Sequence, residues 1–358
     1  MLEIAETREN WEADEWAIRS EFWNSRTGKF GKSRKKRERN SNPLILCGHG
    51  VSMRVENGVL LIRDGFTHYP QKQEIHRYFP GSLDIPTRIL LLDGSGTLSF
   101  DVLSWLGEQG VALLRVKWTG EISIAASGHG YVGNSAKVRW QENTRDDEAA
   151  RLEFSIELIG RKFEQGARTL NSCFAASARR DRAISKILEL ARDLEIRPPS
   201  DLKALRASEA ICASAYFNVW QELELKWKGT ARRPVPEDWL HFTGRTSVLN
   251  GTKPKNVNAS HPVNAMLNYA YAIRQGQLQI EAIADGYDPT IGIMHHGRRG
   301  LPAYIFDLVE PERPKVDAAV LQFIEQHKFS AEDFVIRKDG VCRLSPQLAR
   351  VVANLVLI

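Results

Sequence analysis

The sequence predicts an α+β protein with a small N-terminal β-rich domain at 41–142 and a larger all-helical C-terminal domain at 143–358. A charged extension, residues 1–40, precedes them. Three observations carry this reading. From Leu44 to about residue 126 the chain breaks into short runs with apolar and polar residues alternating, the period of a strand. From Glu148 onward apolar residues recur at helical spacing over stretches of several turns. The 358 residues suffice for about two domains at roughly 150 residues each.

The extension is polar at both ends. Residues 1–23 hold seven acids and two bases, and Trp11, Trp16 and Phe22 could line one face of a short helix. Residues 26–39 hold eight bases and one acid, a net charge of +7. Such a block stays solvated, and it commonly contacts nucleic acid. In the β-rich part, Val51, Met53 and Val55 alternate with polar residues, Asn57-Gly58 follows, and Val59–Ile62 resumes the run. Two runs around Asn-Gly predict a hairpin, because both central residues of a type I′ turn need positive φ. Further strands are expected at Arg88–Leu92, Val111–Val116 and Glu121–Ala126, with one short helix at Phe100–Gln109. The polar stretch Gln141–Asp147 marks the boundary. Helices are expected at Glu148–Lys162, Ala167–Leu194, Asp201–Leu225 and Pro262–Ala284, the last closed by Gly286.

Composition excludes several classes. With 42% hydrophobic and 26% charged residues the chain is neither disordered nor a membrane protein, and no apolar run approaches the roughly 18 residues that span a bilayer. Residues 1–23 have no apolar core of the signal-peptide kind. The cysteines at 47, 173, 212 and 342 stand too far apart for a CxxC zinc half-site. A reduced, cytoplasmic protein is expected, with Cys212 a small buried hydrophobe.

The densest polar constellation runs from Asp288 through Gly292-Ile293-Met294-His295-His296-Gly297-Arg298-Arg299 to Asp307-Leu308-Val309-Glu310 and Arg313-Pro314. Three-residue spacing puts Asp307 and Glu310 on one helix face. A histidine twelve residues earlier could return to that face through a tight turn. One imidazole nitrogen with carboxylate oxygens suits Mn²⁺ or Mg²⁺, nitrogen tilting the choice toward Mn²⁺. On spacing alone a surface salt-bridge group fits as well, and His296 competes with His295.

These residues, together with His261-Pro262-Val263-Asn264-Ala265-Met266-Leu267-Asn268-Tyr269 and Glu209-Ala210-Ile211-Cys212-Ala213-Ser214-Ala215-Tyr216, resemble the CRISPR spacer-acquisition integrase family, the metal-dependent nuclease-like subunit of the CRISPR adaptation complex. Four motifs occur in the family's order. The tail Asp333–Gly340 with Leu344-Ser345 also looks like the family, so the resemblance covers about 44–358. The sequence departs at His261-Pro262, where the family prefers Asp-Pro after a shorter Arg-rich loop, and residues 1–40 match nothing.

The resemblance implies that Glu209, His295 and Glu310 form the catalytic metal site, with Asp307 and Arg313 in support. It implies a divalent Mn²⁺ or Mg²⁺ cofactor. It implies attack of a DNA fragment's 3′-hydroxyl on a phosphodiester of the CRISPR repeat, and endonuclease activity when water replaces that hydroxyl. The implied partners are double-stranded DNA, a second copy of the chain paired through the β-rich domain, and a small companion subunit. Arg179, Arg180, Arg182, Lys226, Lys228, Arg232, Arg233, Arg298 and Arg299 are candidates for phosphate contacts. The competing readings are a non-catalytic nucleic-acid-binding protein on the same fold and a metal-dependent repair nuclease.

Overall fold

The structure is a computed structural model. It describes residues 2–27, 38–40, 42–66, 73–117, 122–126, 133–245, 259–295 and 301–356, with side chains from residue 15 onward and, within 122–126, at Ser123 alone. Helix α1 (Leu2–Thr27) comes first. Strands β1 (Leu44–Glu56), β2 (Val59–Arg63), β3 (Ile75–Tyr78) and β4 (Arg88–Leu98) follow, then α2 (Phe100–Glu108), β5 (Ala112–Val116) and β6 (Ile122–Ala126). The six strands form one mixed sheet in the order β3-β2-β1-β4-β5-β6. β1 and β5 run parallel to β4, and the remaining pairings are antiparallel. The expected hairpin joins β1 to β2, pairing Glu56 with Val59 across a turn in which Asn57 and Gly58 have φ of 51° and 77°. Both are positive, as a type I′ turn requires.

Alternation gives the sheet two buried faces. Leu46, Met53, Leu60, Ile62 and Ile89 pack with Val102, Trp105 and Leu106 of α2. Ile45, Cys47, Leu90, Leu92 and Leu114 face the other way and join the core of the C-terminal helices. The β-rich and helical parts therefore share one continuous apolar core.

The remainder consists of α3 (Ser135–Asp146), α4 (Glu148–Cys173), α5 (Ala178–Ile196), α6 (Leu202–Val219), α7 (Pro262–Ala284), α8 (Ala303–Val309), α9 (Arg313–Gln326), the antiparallel pair β7 (Phe334–Ile336) and β8 (Cys342–Leu344), and α10 (Pro346–Leu355). The C-terminal part is thus mostly, not entirely, helical. Helix α4 lies at its centre, against α3, α5, α6 and α9. Its length corrects the expected break near residue 163. The chain stays helical through Gly166 and turns instead at Ser177, whose hydroxyl accepts from Arg180 N and caps α5. The polar stretch read as a boundary lies within α3, whose cap is Asn134.

Residues 15–27, read from the sequence as part of a free-standing extension, are instead packed into the C-terminal part. Trp23 is fully buried beside Phe323 and Phe329, and its indole donates to Asp333 Oδ1 at 2.7 Å. Arg19 is 4% exposed and donates from Nε to the same oxygen at 2.9 Å. Most of the basic block, residues 28–37, lies outside the described residues.

Candidate active site

Four elements bring the site together. Helix α4, capped by Asp147 accepting from Ala149 N and Ala150 N, carries Lys162. Helix α6, capped by Asp201 accepting from Ala204 N, carries Glu209. Pro311 ends the regular hydrogen bonding of α8, because proline has no N–H to donate, and Pro314 lies in the first turn of α9. The chain makes a 3₁₀ turn at Glu310–Glu312 before α9 starts at Arg313. The fourth element is the loop 291–295, which places His295.

The carboxylates of Glu209 and Glu310 converge on one cation. Lys162 Nζ donates to Glu209 Oε1 at 2.5 Å and to Glu310 Oε2 at 2.6 Å. Arg313 Nε donates to Glu310 Oε1 at 3.0 Å. Burial alone would raise the Glu310 pKa, but the charges of Arg313 and Lys162 outweigh it and hold the carboxyl below its usual range. Burial would likewise lower the Lys162 pKa, and the two glutamates reverse this and raise it.

Asp307 is fully buried and has a different task. Its Oδ2 accepts from Ile293 N at 2.6 Å and Met294 N at 3.1 Å, and its Oδ1 accepts from His295 N at 2.9 Å. The imidazole Nδ1 of His295 lies 2.8 Å from the same Oδ1. An ionised carboxylate has about four acceptor positions, and these partners fill them. Asp307 therefore positions the loop and the imidazole. It shapes the loop and fixes His295 with Nδ1 inward, leaving Nε2 as the nitrogen for a metal, the usual carboxylate–histidine arrangement. The loop tolerates this only with glycine at 292, where a Cβ would lie 2.3 Å from the His295 carbonyl oxygen. Asp307 and Glu310, three residues apart, have different partners: the first bonds the loop, the second Lys162 and Arg313.

The carboxylates open onto a cavity of about 300 Å³. Its far wall holds Asp317, 2% exposed, which accepts from Tyr216 Oη at 3.0 Å and from Tyr271 Oη. Burial raises the Asp317 pKa. The Arg245 and Arg313 guanidinium groups lie 5.4 and 5.1 Å from the Tyr271 ring centre, within cation–π range. Arg245 is anchored to Asn264 Oδ1 and Asn268 Oδ1 of α7. Cys212 also lines the cavity, buried as expected, and burial pushes its thiol up to about 12, so it supplies no thiolate nucleophile.

Among the described residues no three His, Cys, Asp or Glu side chains close into a ready-made metal cage. Two carboxylates already meeting on one cation, with the His295 imidazole held by Asp307, nevertheless fit a divalent metal in chemistry and charge. The sequence reading missed Lys162, Arg245, Tyr271 and Asp317. A lysine or arginine on a helix or in a loop reads as solvated, and no spacing rule ties residue 162 to 209 and 310.

The basic candidates divide. Arg180 bonds Asp181 and the Phe174 carbonyl, and Arg233 bridges Glu15 of α1 to Glu332. Arg182, Lys226, Lys228 and Arg232 are exposed, and Arg179 is half-buried near Glu222. His296, Arg298 and Arg299 lie outside the described residues, as does most of the loop at 244–261.

The family model described as CRISPR associated protein Cas1 matches residues 44–356, spanning the sheet and every residue of this site. The chain belongs to the Cas1 family. The CRISPR-associated endonuclease Cas1 of Korarchaeum cryptofilum is 26% identical over 296 residues, 78% of this chain and 77% of that protein. A CRISPR-associated exonuclease Cas4/endonuclease Cas1 fusion from Geobacter sulfurreducens is 40% identical over 151 residues, 42% of this chain and 24% of the fusion. Two solved structures share the Cas1 fold. A casposase bound to its integration product superposes with a TM-score of 0.70 at 23% identity, covering 88% of this chain and 81% of the casposase chain. A Cas1 protein from Thermotoga maritima superposes at 0.62 with 13% identity, covering 86% and 87%. At these identities the likeness speaks to the fold. Residues 1–43, including α1, precede the family match.

Proposed function

We propose that this Cas1 chain is the integrase and endonuclease of CRISPR spacer acquisition, with Glu209, His295 and Glu310 holding a divalent metal, Mn²⁺ or Mg²⁺. The observation that carries the reading is the convergence of Glu209 and Glu310, from separate helices, on a single cation beside an imidazole fixed by Asp307. In the reaction the 3′-hydroxyl of a DNA fragment attacks a phosphodiester of the repeat. The attacking hydroxyl gives up its proton as the new O3′–P bond forms, the old P–O3′ bond breaks, and the displaced 3′-oxygen takes up a proton, so the exchange is proton-neutral. A bound divalent cation supplies Lewis acidity and stabilises charge on the phosphoryl oxygens.

The chain's own residues do the rest. Asp307 holds the His295 ring in one tautomer and orientation. Arg313 keeps Glu310 ionised and places a planar cation at the cavity wall, where phosphate would sit. Tyr216 and Tyr271, tied to Asp317, give that wall a fixed shape. With the Cys212 thiol pushed up to about 12 by burial, the cavity offers no thiolate, which is consistent with direct transfer.

The substrate of this reading is double-stranded DNA, fragment and repeat. Its basic contacts are Arg179, Arg182, Lys226, Lys228 and Arg232, with Arg298 and Arg299. Such contacts bind the backbone without reading sequence. A solved Cas6-RT-Cas1–Cas2 complex contains a chain of this fold, with a TM-score of 0.63 at 21% identity, covering 90% of this chain and 32% of that chain. A homodimer paired through the sheet, with a small Cas2-like companion subunit, completes the reading. A division into a β-rich part and a helical part belongs to it too, although the boundary expected at 142/143 falls inside α3. The test is strand transfer with Mn²⁺ by Glu209→Ala, His295→Ala and Glu310→Ala, with folding checked by circular dichroism. Each variant should be inactive and folded, and EDTA should stop the unmodified chain. Near-normal transfer by folded His295→Ala would remove it from the site.

A further inference from the structure

Lys162 belongs to none of the four family-like motifs, yet it is the group around which the site is built. Its ammonium has three protons to donate, and two are spent on the same carboxylates assigned to the metal. The partners stand 47 and 148 residues away in sequence, so nothing local brings them together. The three side chains are 20%, 28% and 8% exposed, which makes the cluster only partly wet. Two carboxylates this close repel each other unless a cation lies between them.

We propose, resting on the metal-site reading above, that Lys162 is an internal rival of the metal: its ammonium occupies Glu209 and Glu310 in the metal-free chain and must leave them for a divalent cation to enter. The lone pairs explain the rivalry. Glu209 Oε1 and Glu310 Oε2 are the oxygens that meet in the centre, and Lys162 Nζ sits between them. A divalent cation bonding both oxygens would take the same space, and two cations side by side would repel. The arrangement has two consequences. The carboxylates stay assembled without metal, and metal binding is weakened by the work of displacing the lysine. A lysine suits this part better than an arginine, being a compact charge on a flexible stem with no planar fork to lock it in place. Lys162 and Arg313 both line the cavity, which gives a displaced ammonium room to turn into.

A bridge that only pinned α4 to α6 and α8 would behave differently. Removing it would loosen the carboxylates and weaken metal binding. Removing a rival should strengthen it. The experiment is calorimetric titration of Mn²⁺ into the full chain, Lys162→Met, Lys162→Gln and Glu310→Gln. Because the competing ion pair withholds the free carboxylates from the metal, the two lysine variants should bind Mn²⁺ about tenfold or more tightly. They should also gain more thermal stability from saturating Mn²⁺ than the unmodified chain does. Unchanged or weaker binding by folded Lys162 variants, with binding reduced in Glu310→Gln, overturns the rivalry and leaves the metal site standing. Binding unaffected by Glu310→Gln overturns the metal site and the rivalry together. A second measurement needs no variant: amine acylation of the unmodified chain, read by mass spectrometry. Labelling of Lys162 should rise several-fold on adding Mn²⁺, and labelling that does not respond to Mn²⁺ overturns the proposal.

Discussion

Asp307 accepts four hydrogen bonds in a fully buried place, and its substitution separates positioning from ligation. In Asp307→Asn one oxygen becomes an NH₂ group that meets donors, so at least one buried pairing becomes repulsive. The expected loss of stability is about 1–3 kcal/mol, the cost of a buried unsatisfied group. Strand transfer should fall by roughly 10- to 100-fold, as when a partner behind a metal ligand is removed. Denaturant unfolding and Mn²⁺-dependent transfer measure the two. Full activity in folded Asp307→Asn would mean that the imidazole needs no orienter. The donor set also bears on metal choice. One imidazole with two carboxylates suits Mn²⁺, whereas Mg²⁺ prefers all-oxygen octahedra, so half-maximal transfer should come at lower Mn²⁺ than Mg²⁺. Equal half-saturation would count against His295 as a ligand. At this scale the spacing offered Asp307 and left His295 and His296 open, and only the resemblance to the family's Gly-x-x-His turn favoured His295, which does meet Asp307. Lys162 was not legible, because its partners are set by the packing of α4 against α6.

Helix α7 appears in the sequence at its observed bounds, Pro262–Ala284, because its helical periodicity and its terminal glycine are local signals. The break between α4 and α5 does not, because Gly166 reads as a stop and only the surrounding packing keeps it helical. The start of α7 adds a pH dependence. His261 caps it, with Nδ1 accepting from Val263 N at 3.2 Å, which requires the neutral ring. It is 7% exposed, and burial brings its pKa down to about 4 from 6.5. The unfolded chain takes up this proton near pH 6.5 and the folded chain only near 4. Stability therefore falls as pH drops through that window, by roughly 3 kcal/mol in total for a shift of this size. His327, also lowered by burial, acts in the same direction. Glu310, whose pKa is depressed, adds loss only below 4.5. His261→Asn keeps a good cap without a titrating group. Urea unfolding from pH 7 to 4.5 should show a flatter stability profile for this variant than for the unmodified chain. Parallel profiles would mean that His261 keeps an ordinary pKa.

At the scale of the whole molecule, the N-terminal segment has two parts with opposite physical characters. The apolar side of the sheet and the C-terminal helices form one core, and α1 is fastened to that core by Trp23 and Arg19 on Asp333. The sequence did not show this docking, because an acidic helix with three spaced aromatics looks the same whether its partner is solvent or a distant strand. Residues 28–37 differ, with six bases and no acid. A docked anchor and a basic block should separate in experiment. Trp23→Ala removes a fully buried indole and should cost about 3–5 kcal/mol of stability, seen in denaturant unfolding. Replacing the six bases of 28–37 with serine removes the charge and leaves Trp23 and Arg19 in place, so stability should change much less than in Trp23→Ala. If those charges neutralise phosphate, DNA affinity should fall, and the slope of log affinity against log salt should shrink by about 0.9 for each phosphate no longer neutralised. The two effects are independent, since neither the anchor nor the active site includes residues 28–37. An unchanged salt slope in the serine variant would remove DNA as the partner of the block and leave it a solvated linker between α1 and β1.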